Sequence, residues 1–288
     1  MPRVTVVMAT YNWAPVLPFS IASVLDQTFT DFELLVVGDG CTDESAEVVA
    51  AVDDPRVRWH NLATNTGHQS GPNAEGLRRA RGELIAYLGH DDLWLPDHLA
   101  TVVAALEPGL GLVHATTLMV SPGKPLAPWP PPGWHHQPDS WIPPTTVVHD
   151  RRLAMAVGSW RLVRDTGTLD PEADLWRRLS EGRAARWIDQ LTSVKLSATA
   201  RQDVYRRRPS FEQAWWLELI RASPDPAAAV LEAAGQPYPF ADQAAAHLHG
   251  RHRLHWGVVS RWRRLRGRPP LDAEDRLAIR RRTKGLEP

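Results

Sequence analysis

Three short polar segments follow apolar stretches in the first hundred residues, and they hold the side chains best suited to chemistry. The segments are Thr10-Tyr11-Asn12, Gly38-Asp39-Gly40 and the carboxylate pair Asp91-Asp92. A carboxylate such as Asp39 accepts hydrogen bonds from a nucleobase or a ribose. Two adjacent carboxylates repel each other unless a cation lies beside them, and Mg²⁺ or Mn²⁺ bound to a diphosphate is the usual solution. A metal-assisted nucleotide site is one interpretation of these segments, but each is a weak signal by itself, since an Asp-rich turn is usually only a helix cap.

The elements that must position these segments alternate between strands and helices. Strands are predicted near residues 4–9, 32–37, 56–61, 83–88 and 111–117, and helices near 16–27, 43–52, 72–81 and 97–107. This alternation is typical of an α/β fold with a mainly parallel sheet flanked by helices. Because ligands of such folds bind beyond the carboxyl ends of the strands, the three polar segments are expected at one binding edge.

Four segments also carry a pattern that goes beyond single residues. They are residues 1–12, 23–34, 80–88 and 91–96. Taken together and in this order, they resemble the GT-A glycosyltransferases of family 2. The resemblance is strong over about residues 3–105, fair over 145–180 and absent beyond about 210. It implies a GT-A (Rossmann-like) fold, a nucleotide-sugar donor, and Mn²⁺ or Mg²⁺ as cofactor.

The resemblance implies roles for the polar residues at the strand ends. Thr10, Tyr11, Asn12 and Asp39 fall in the segments that bind the nucleotide of the donor. Asp91 and Asp92 match the DxD-type motif of the family. Asp92 is expected to ligate the metal directly. Asp91 is expected to face the ribose or the sugar, and it is the second candidate ligand.

A later acidic segment, residues 167–179, resembles the family's acidic stretch ahead of a Trp-containing helix. In the family, a carboxylate there deprotonates the acceptor hydroxyl. Alignment on Asp174 and Trp176 puts Glu172 at the family's usual Asp position, with Asp174 and Asp170 as competitors. The alternative is that these acids only begin a helix, where the macrodipole favours negative charge. We predict Glu172 as the catalytic base and Asp174 as the second choice.

The sequence departs from the family at several positions. Gly38 stands where relatives carry an acidic residue, and His90 precedes the carboxylate pair where relatives carry Asp or Ser. Residues 73–74 read Asn-Ala where relatives often read Arg-Asn, so a cationic contact to the diphosphate is missing there. The candidates to replace it are His68, Gln69 and Arg78.

Composition limits the classes of protein that remain. The chain has 288 residues with 33 basic and 33 acidic side chains, and this balance argues against a general nucleic-acid binder. Its one cysteine, Cys41, has no partner for an internal disulfide, and no apolar run approaches the roughly 20 residues needed to span a bilayer. Since the first residues read as a strand and not as a signal peptide, we expect a cytoplasmic protein.

Two segments fall outside the α/β pattern. Residues 121–144 hold nine prolines, so regular structure is not expected there. We interpret this segment as an ordered loop whose Trp129, Trp134 and Trp141 line an acceptor cleft; a linker is the alternative.

The second is the tail, residues 251–288, with 12 Arg or Lys against 4 Asp or Glu. An apolar stripe in the tail comprises Leu254, Val258, Val259, Trp262 and Leu265. The stripe either packs against protein or lies on the inner face of the membrane.

These expectations combine into one functional hypothesis. Residues 1–110 form the nucleotide-sugar-binding part of the GT-A domain, 111–210 its acceptor-binding part, and 211–288 a helical basic extension. An inverting glycosyltransferase would then move a sugar from a UDP donor, with dTDP as the competitor, to a glycan, lipid-linked or small-molecule acceptor. The alternatives are a non-catalytic nucleotide-sugar binder acting as an assembly partner, and a nucleotidyltransferase. The latter needs a Gly-rich phosphate loop, which residues 10–13 are not.

Overall fold

A nine-stranded sheet forms the centre of the molecule, seen here in a computed structural model. The structure describes residues 1–240 except 122–123, 132, 135–139, 168, 199–200 and 202, and further along residues 263, 265–267, 273–283 and 286. The strands are β1 (Val4–Thr10), β2 (Phe32–Gly38), β3 (Val57–Asn61), β4 (Leu84–Tyr87), β5 (Leu93–Trp94), β6 (Leu110–Val120), β7 (Ala127–Trp129), β8 (Val147–Asp150) and β9 (Ala184–Leu196). Their order is β3-β2-β1-β4-β8-β6-β9-β5, with β7 paired to β6.

Ten helices surround the sheet within the described residues. They are α1 (Leu17–Leu25), α2 (Ser45–Ala50), α3 (Ser70–Arg79), α4 (His98–Ala104), α5 (Arg151–Ala156), α6 (Pro171–Leu179), α7 (Val204–Arg207), α8 (Phe211–Ala222), α9 (Pro226–Ala234) and α10 (Ala273–Thr283). Two 3₁₀ turns cover Pro144–Thr146 and Val163–Asp165. No helix in these parts of the chain has the length and apolar character needed to cross a bilayer.

The first four strands in the sheet order are parallel, as predicted. Strand β1 pairs with β2 on one side and with β4 on the other, and its last residue, Thr10, lies opposite Gly38. The amide of Asp39 donates to the carbonyl of Thr10 at 2.7 Å, and this bond extends the pairing into the loops. The three polar segments therefore leave the sheet at the same edge, where a ligand of this fold binds.

Beyond β4 the sheet is mixed, so parallel pairing covers only part of it. Strand β8 is antiparallel to both β4 and β6, and β5 is antiparallel to β9, whereas β6 and β9 are parallel. A parallel return needs a crossover connection, usually a helix. The segment between β6 and β8 is rich in proline and its described residues hold no α-helix, in keeping with the antiparallel course of β8 beside β6.

The expectation that residues 121–144 hold no regular structure is wrong at one place. Strand β7 lies within them and pairs antiparallel with β6, with Pro128 opposite Leu118. Proline lacks an N–H group and is tolerated on an edge strand, where that group would face away from the sheet. Strand β7 pairs with β6 at such an edge, so the N–H group that Pro128 lacks is not needed for the pairing.

Apolar side chains cover both faces of the sheet, which explains the nearly continuous hydrophobic runs of β1 and β2. On one face, Val4, Val6 and Met8 pack with residues of α1 and α4, and on the other face Val7 packs with α3, α5 and α6. Helix α8 joins a third cluster, in which the fully buried Trp216 packs near Leu93 and Leu118. Among the described residues of the C-terminal part are helices α8, α9 and α10, and α8 and α9 belong to the core.

Candidate functional site

The loops after β1 and β2 are tied together by Asn12. Its backbone is left-handed, with φ of 48°, a conformation that asparagine tolerates better than most residues. The amide oxygen of Asn12 accepts from the backbone N–H groups of Thr42 at 2.8 Å and Asp43 at 3.3 Å. Asn12 thus holds the loop after β2 against the loop after β1. Its neighbours Thr10, which is buried, and Tyr11, which is half-buried, lie at the same edge.

Asp39 is buried and fixes a further loop against the sheet. Its Oδ1 accepts from the backbone N–H and the hydroxyl of Thr66, both at 2.8 Å, and its Oδ2 accepts from the N–H of Gly67 at 3.2 Å. Burial raises the pKa of Asp39, whereas these hydrogen bonds favour the ionised form. The carboxylate is therefore oriented before any ligand arrives.

Side chains of β3 explain why position 38 is a glycine. A Cβ atom on Gly38 would lie 2.4 Å from Oδ1 of Asn61 and 2.7 Å from the ring of Trp59. Asn61 also accepts from the N–H of Cys41 at 2.8 Å and donates to its carbonyl at 2.9 Å. Side chains of β3 occupy the volume that an acidic residue at position 38 would need.

The predicted metal pair separates into two different environments. Asp92 is fully buried, and its Oδ1 accepts from the N–H of Leu196 at 3.0 Å. Its Oδ2 accepts from the ammonium of Lys195 at 2.9 Å and from the hydroxyl of Thr145. The oxygens of Asp92 thus already accept from an ammonium, a hydroxyl and a backbone N–H, and its expected role as a direct metal ligand stays a prediction. Asp91 is 8% exposed.

Lys195 is the cation that interacts with the carboxylates of the candidate site. Burial disfavours its charged form, but the charges of Asp92, Asp91 and Glu172 outweigh burial and raise the pKa of Lys195. Its ammonium contacts Asp92 directly, and the charges of Asp91 and Glu172 favour its protonated form as well. The sequence reasoning missed this residue. One signal was present, because the chain has only three lysines and this one lies between apolar residues of a strand.

The two candidate bases lie in the first turn of α6 and differ in their partners. Asp174 is 1% exposed, and its Oδ2 accepts two hydrogen bonds from the guanidinium of Arg178, at 2.6 and 3.0 Å. Arg161 donates to Oδ1 of Asp174 at 3.5 Å. Glu172 is 6% exposed, and its charge contributes to the raised pKa of Lys195. Asp174 is thus held by arginines, whereas Glu172 is the acid of α6 whose charge acts on Lys195.

His90 joins the third loop to the C-terminal part of the chain. Its ring stacks on Trp13 with centroids 4.9 Å apart, and its nitrogens lie 3.2 Å from the hydroxyl of Thr10 and 3.3 Å from that of Tyr205. Burial raises the pKa of Tyr205, and the charges of Asp91 and Asp39 raise it further. Tyr205 therefore lies near both predicted donor-binding carboxylates, a position that no sequence pattern indicated.

The cationic candidates at α3 have other partners. Arg78 forms hydrogen bonds of 2.6 and 2.8 Å with Glu75, and this pairing lowers the pKa of Glu75 to about 2. Nδ1 of His68 accepts from the N–H of Ser70 at 3.2 Å, at the start of α3. Since Arg78 lies at the end of α3 remote from the strand ends, it does not supply the missing cation.

The tryptophans of the Pro-rich segment form two groups. Trp129 donates to the carbonyl of Trp141 at 3.4 Å. Trp134 packs edge-on against His114 and Trp187, with centroids 5.4 and 6.0 Å apart. Their role as the lining of an acceptor cleft stays a prediction. Of the predicted apolar stripe in the tail, only Leu265 falls within the described residues, where it is 83% exposed.

The fit of a divalent metal depends on Asp91. In the described part of the chain, no group of three or more His, Cys, Asp or Glu side chains is placed to hold a metal ion. Mg²⁺ at a nucleotide site, however, commonly uses one or two carboxylates and takes its other ligands from phosphates and water. Asp91 and Asp92 are the carboxylates of such a smaller set, and of the two Asp92 already accepts from Lys195, Thr145 and Leu196.

The parallel unit with polar loops at its carboxyl edge, continued by mixed strands and an acidic helix start, defines a GT-A glycosyltransferase fold. The sequence model described as glycosyl transferase family 2 matches residues 5–165. The chain belongs to this family.

Individual relatives agree with this assignment. A Campylobacter jejuni protein named GalNAc(5)-diNAcBac-PP-undecaprenol beta-1,3-glucosyltransferase is 30% identical over 129 residues, which are 43% of this chain and 41% of the relative. The chain spans less than half the length of the first curated relatives it matches.

Solved structures match over more of the chain. Mannosyltransferase PcManGT from Pyrobaculum calidifontis, in complex with GDP-Man and Mn²⁺, has a TM-score of 0.56 at 18% identity, covering 98% of this chain and 87% of that one. S. aureus TarS in complex with UDP-GlcNAc has a TM-score of 0.55 at 17% identity, covering 80% and 69%. At such identities the likeness shows the fold, and the GT-A prediction is confirmed.

Proposed function

We propose that this chain is an inverting glycosyltransferase that moves a sugar from a nucleotide-diphosphate donor to an acceptor hydroxyl with help from a divalent metal. The observation that carries the proposal is the cluster around Lys195. Its ammonium pairs with Asp92 after β4 at 2.9 Å, and the charges of Asp91 and of Glu172 on α6 act on it as well. Glycosyl transfer requires charge stabilisation at the leaving diphosphate and a carboxylate base for the acceptor hydroxyl.

The roles within the cluster follow from the contacts. Asp91 would hold Mn²⁺ or Mg²⁺, which when bound neutralises charge on the departing diphosphate. Asp92 would position the ammonium of Lys195 and anchor the third loop on Thr145 and Leu196. Asp39, Thr10 and Tyr11 would contact the nucleotide, and Asn12 would hold the loop behind them. The metal contact proposed first for Asp92 thereby moves to Asp91.

Glu172 would act as the general base. The acceptor oxygen forms a bond to the anomeric carbon as its proton passes to the Glu172 carboxylate, and the bond from that carbon to the diphosphate oxygen breaks. The leaving diphosphate takes the electron pair of the broken bond. Attack opposite to the leaving group inverts the anomeric centre. Asp174 is unsuited to this step because arginines hold both of its oxygens.

The donor is proposed to be a UDP-sugar, with dTDP as the competitor. TarS, a neighbour in fold, carries UDP-GlcNAc in its complex. For the acceptor, the name of the Campylobacter relative indicates a glycan on undecaprenyl diphosphate. A lipid-linked acceptor of that class is therefore the first one to test for this chain, ahead of small-molecule acceptors.

Donor turnover tests the proposal directly. The purified protein is mixed with UDP-, dTDP- and GDP-sugars, with Mn²⁺ or EDTA, and the release of nucleoside diphosphate is measured with and without polyprenyl-diphosphate-linked glycans. We expect Mn²⁺-dependent release from a UDP-sugar. A protein that binds these donors yet releases no diphosphate with any acceptor supports the non-catalytic assembly partner instead.

Two matched variants test the base. Glu172→Gln should keep the donor affinity and lower turnover by about 10²–10⁴-fold, the usual effect of losing a positioned base. Asp174→Asn is the control, since it changes an acid two positions along the same helix turn. It should lower stability but keep the turnover of the folded protein. Normal turnover in Glu172→Gln would remove this residue from the chemistry.

A further inference from the structure

The last described helix, α10, reaches the nucleotide edge of the site. It packs against the 3₁₀ turn Val163–Asp165. From its final turn, Nη1 of Arg281 donates to Oδ1 of Asn65 at 3.4 Å. Asn65 belongs to the loop that Asp39 fixes through Thr66 and Gly67. A basic residue from the far end of the chain therefore lies beside the second donor loop.

Gly67 lies between Arg281 and Asp39 and is close to both. Its φ of +87° is a left-handed conformation, and a Cβ atom there would lie 2.8 Å from Nη1 of Arg281. The N–H of the same glycine donates to Oδ2 of Asp39 at 3.2 Å. Although burial raises the pKa of Asp39, the charge of Arg281 opposes that rise. A guanidinium and a carboxylate thus lie on the two sides of one glycine.

This arrangement puts a hydrogen-bond donor beside a hydrogen-bond acceptor. The imide edge of uracil presents the complementary pair, an N–H flanked by carbonyl oxygens. A guanidinium carries five N–H groups, so Arg281 has the capacity to hold Asn65 and a base carbonyl together. Arg281 contacts the loop that Asp39 fixes through Thr66 and Gly67, and this favours the nucleobase that Asp39 is proposed to hold as the group contacted.

We propose that Arg281 is a nucleotide-binding residue: the C-terminal helix closes over the base end of the donor site, and its guanidinium donates to a carbonyl of the uracil held by Asp39. The inference rests on the proposed function, since it needs a uridine nucleotide at this edge. It assigns to the basic tail a part in donor recognition, separate from the membrane or packing role considered for the apolar stripe.

Titration calorimetry with uridine and with UDP tests the assignment, because uridine lacks phosphates. Arg281→Ala should weaken both ligands by a similar factor of about 5–30, the equivalent of one or two kcal/mol. Arg281→Lys keeps the charge but loses the planar fork, and it should recover only part of the affinity. Arg282→Ala is the matched control, because this neighbouring arginine is exposed and should leave both affinities unchanged.

The outcomes distinguish a failure of the Arg281 assignment from a failure of the proposed uridine donor. Unchanged or tighter binding of both ligands by Arg281→Ala overturns the assignment, and so does a loss confined to UDP, which would place the guanidinium on the phosphates. A loss for both ligands that Arg282→Ala reproduces also overturns it, since the cause would be net charge. If the unmutated protein binds neither ligand, the proposed uridine donor itself fails.

Discussion

Replacement of Asp92 by asparagine distinguishes a structural carboxylate from a metal ligand. In Asp92→Asn the amide oxygen can still accept from Leu196, but the new NH₂ group faces two donors, Lys195 and Thr145. The ammonium then loses its direct partner at 2.9 Å and keeps only the more distant charges of Asp91 and Glu172. Removing one member of a buried ion pair costs about 3–5 kcal/mol. Since Lys195 retains those two carboxylates, we expect a loss near 3 kcal/mol.

Denaturant unfolding measures this loss, with Asp91→Asn as the matched variant. A decrease of about 3 kcal/mol is a large fraction of the roughly 5–15 kcal/mol that stabilises a typical domain. Asp91→Asn should change stability less and should abolish the extra stabilisation that UDP gives in the presence of Mn²⁺. In the double variant Asp92→Asn with Lys195→Met, part of the lost stability should return, because no charge is left unpaired.

One result would refute this reasoning. If Asp92→Asn unfolds at the same denaturant concentration as the unmutated protein and has lost its response to Mn²⁺, then Asp92 is the metal ligand. The ion pair with Lys195 would in that case give way when donor and metal bind. A stable Asp92→Asn protein with an intact Mn²⁺ response would show that the pair contributes little to either property.

Three further predictions concern binding, packing and pH. Asp39→Ala should weaken UDP binding by about 1–3 kcal/mol in calorimetry, the cost of unpaired buried donors; equal affinity would leave Asp39 as a loop anchor only. Gly38→Asp should destabilise the fold by about 1–3 kcal/mol through its clash with Trp59, and Trp59→Ala should relieve part of that loss. Burial lowers the pKa of His98 to about 3, so the unfolded chain binds a proton below about pH 6.5 that the folded chain does not. Stability should therefore fall by about 2 kcal/mol between pH 8 and pH 5 from this residue, and His98→Phe should reduce that slope in denaturant unfolding.

The sequence was sufficient for the parallel half of the fold. Strands β1 to β4 and the helices between them follow the predicted alternation, because both sheet faces are buried and the strands read as apolar runs. The pairing of the antiparallel strands β7 and β8 depends instead on the path that the Pro-rich segment takes back to the sheet. Strand β7 is short and contains Pro128, so its pairing with β6 comes from that neighbour and not from local propensity.

The contacts of the candidate site residues could be predicted from the sequence only in part. The adjacent carboxylates singled out the loop after β4, but only the structure shows that Lys195, 103 positions later, pairs with Asp92. The choice between Glu172 and Asp174 had a local signal. Arg178 follows Asp174 by four positions, a spacing that places two helix side chains in contact. That signal indicates a structural role for Asp174.

The distance along the chain between Asp92 and Lys195 has a consequence for how this protein can be synthesised and recombined. The match to the family model ends at residue 165, before β9 begins, so the matched segment contains the carboxylate without its ammonium. During synthesis Asp92 leaves the ribosome long before Lys195, and its carboxylate gains this partner only after β9 has joined the sheet. A chimera joined at residue 110 would take the loop that holds Asp92 from one relative and strand β9, which holds Lys195, from another. Only partners that share this charge pair should therefore be exchangeable.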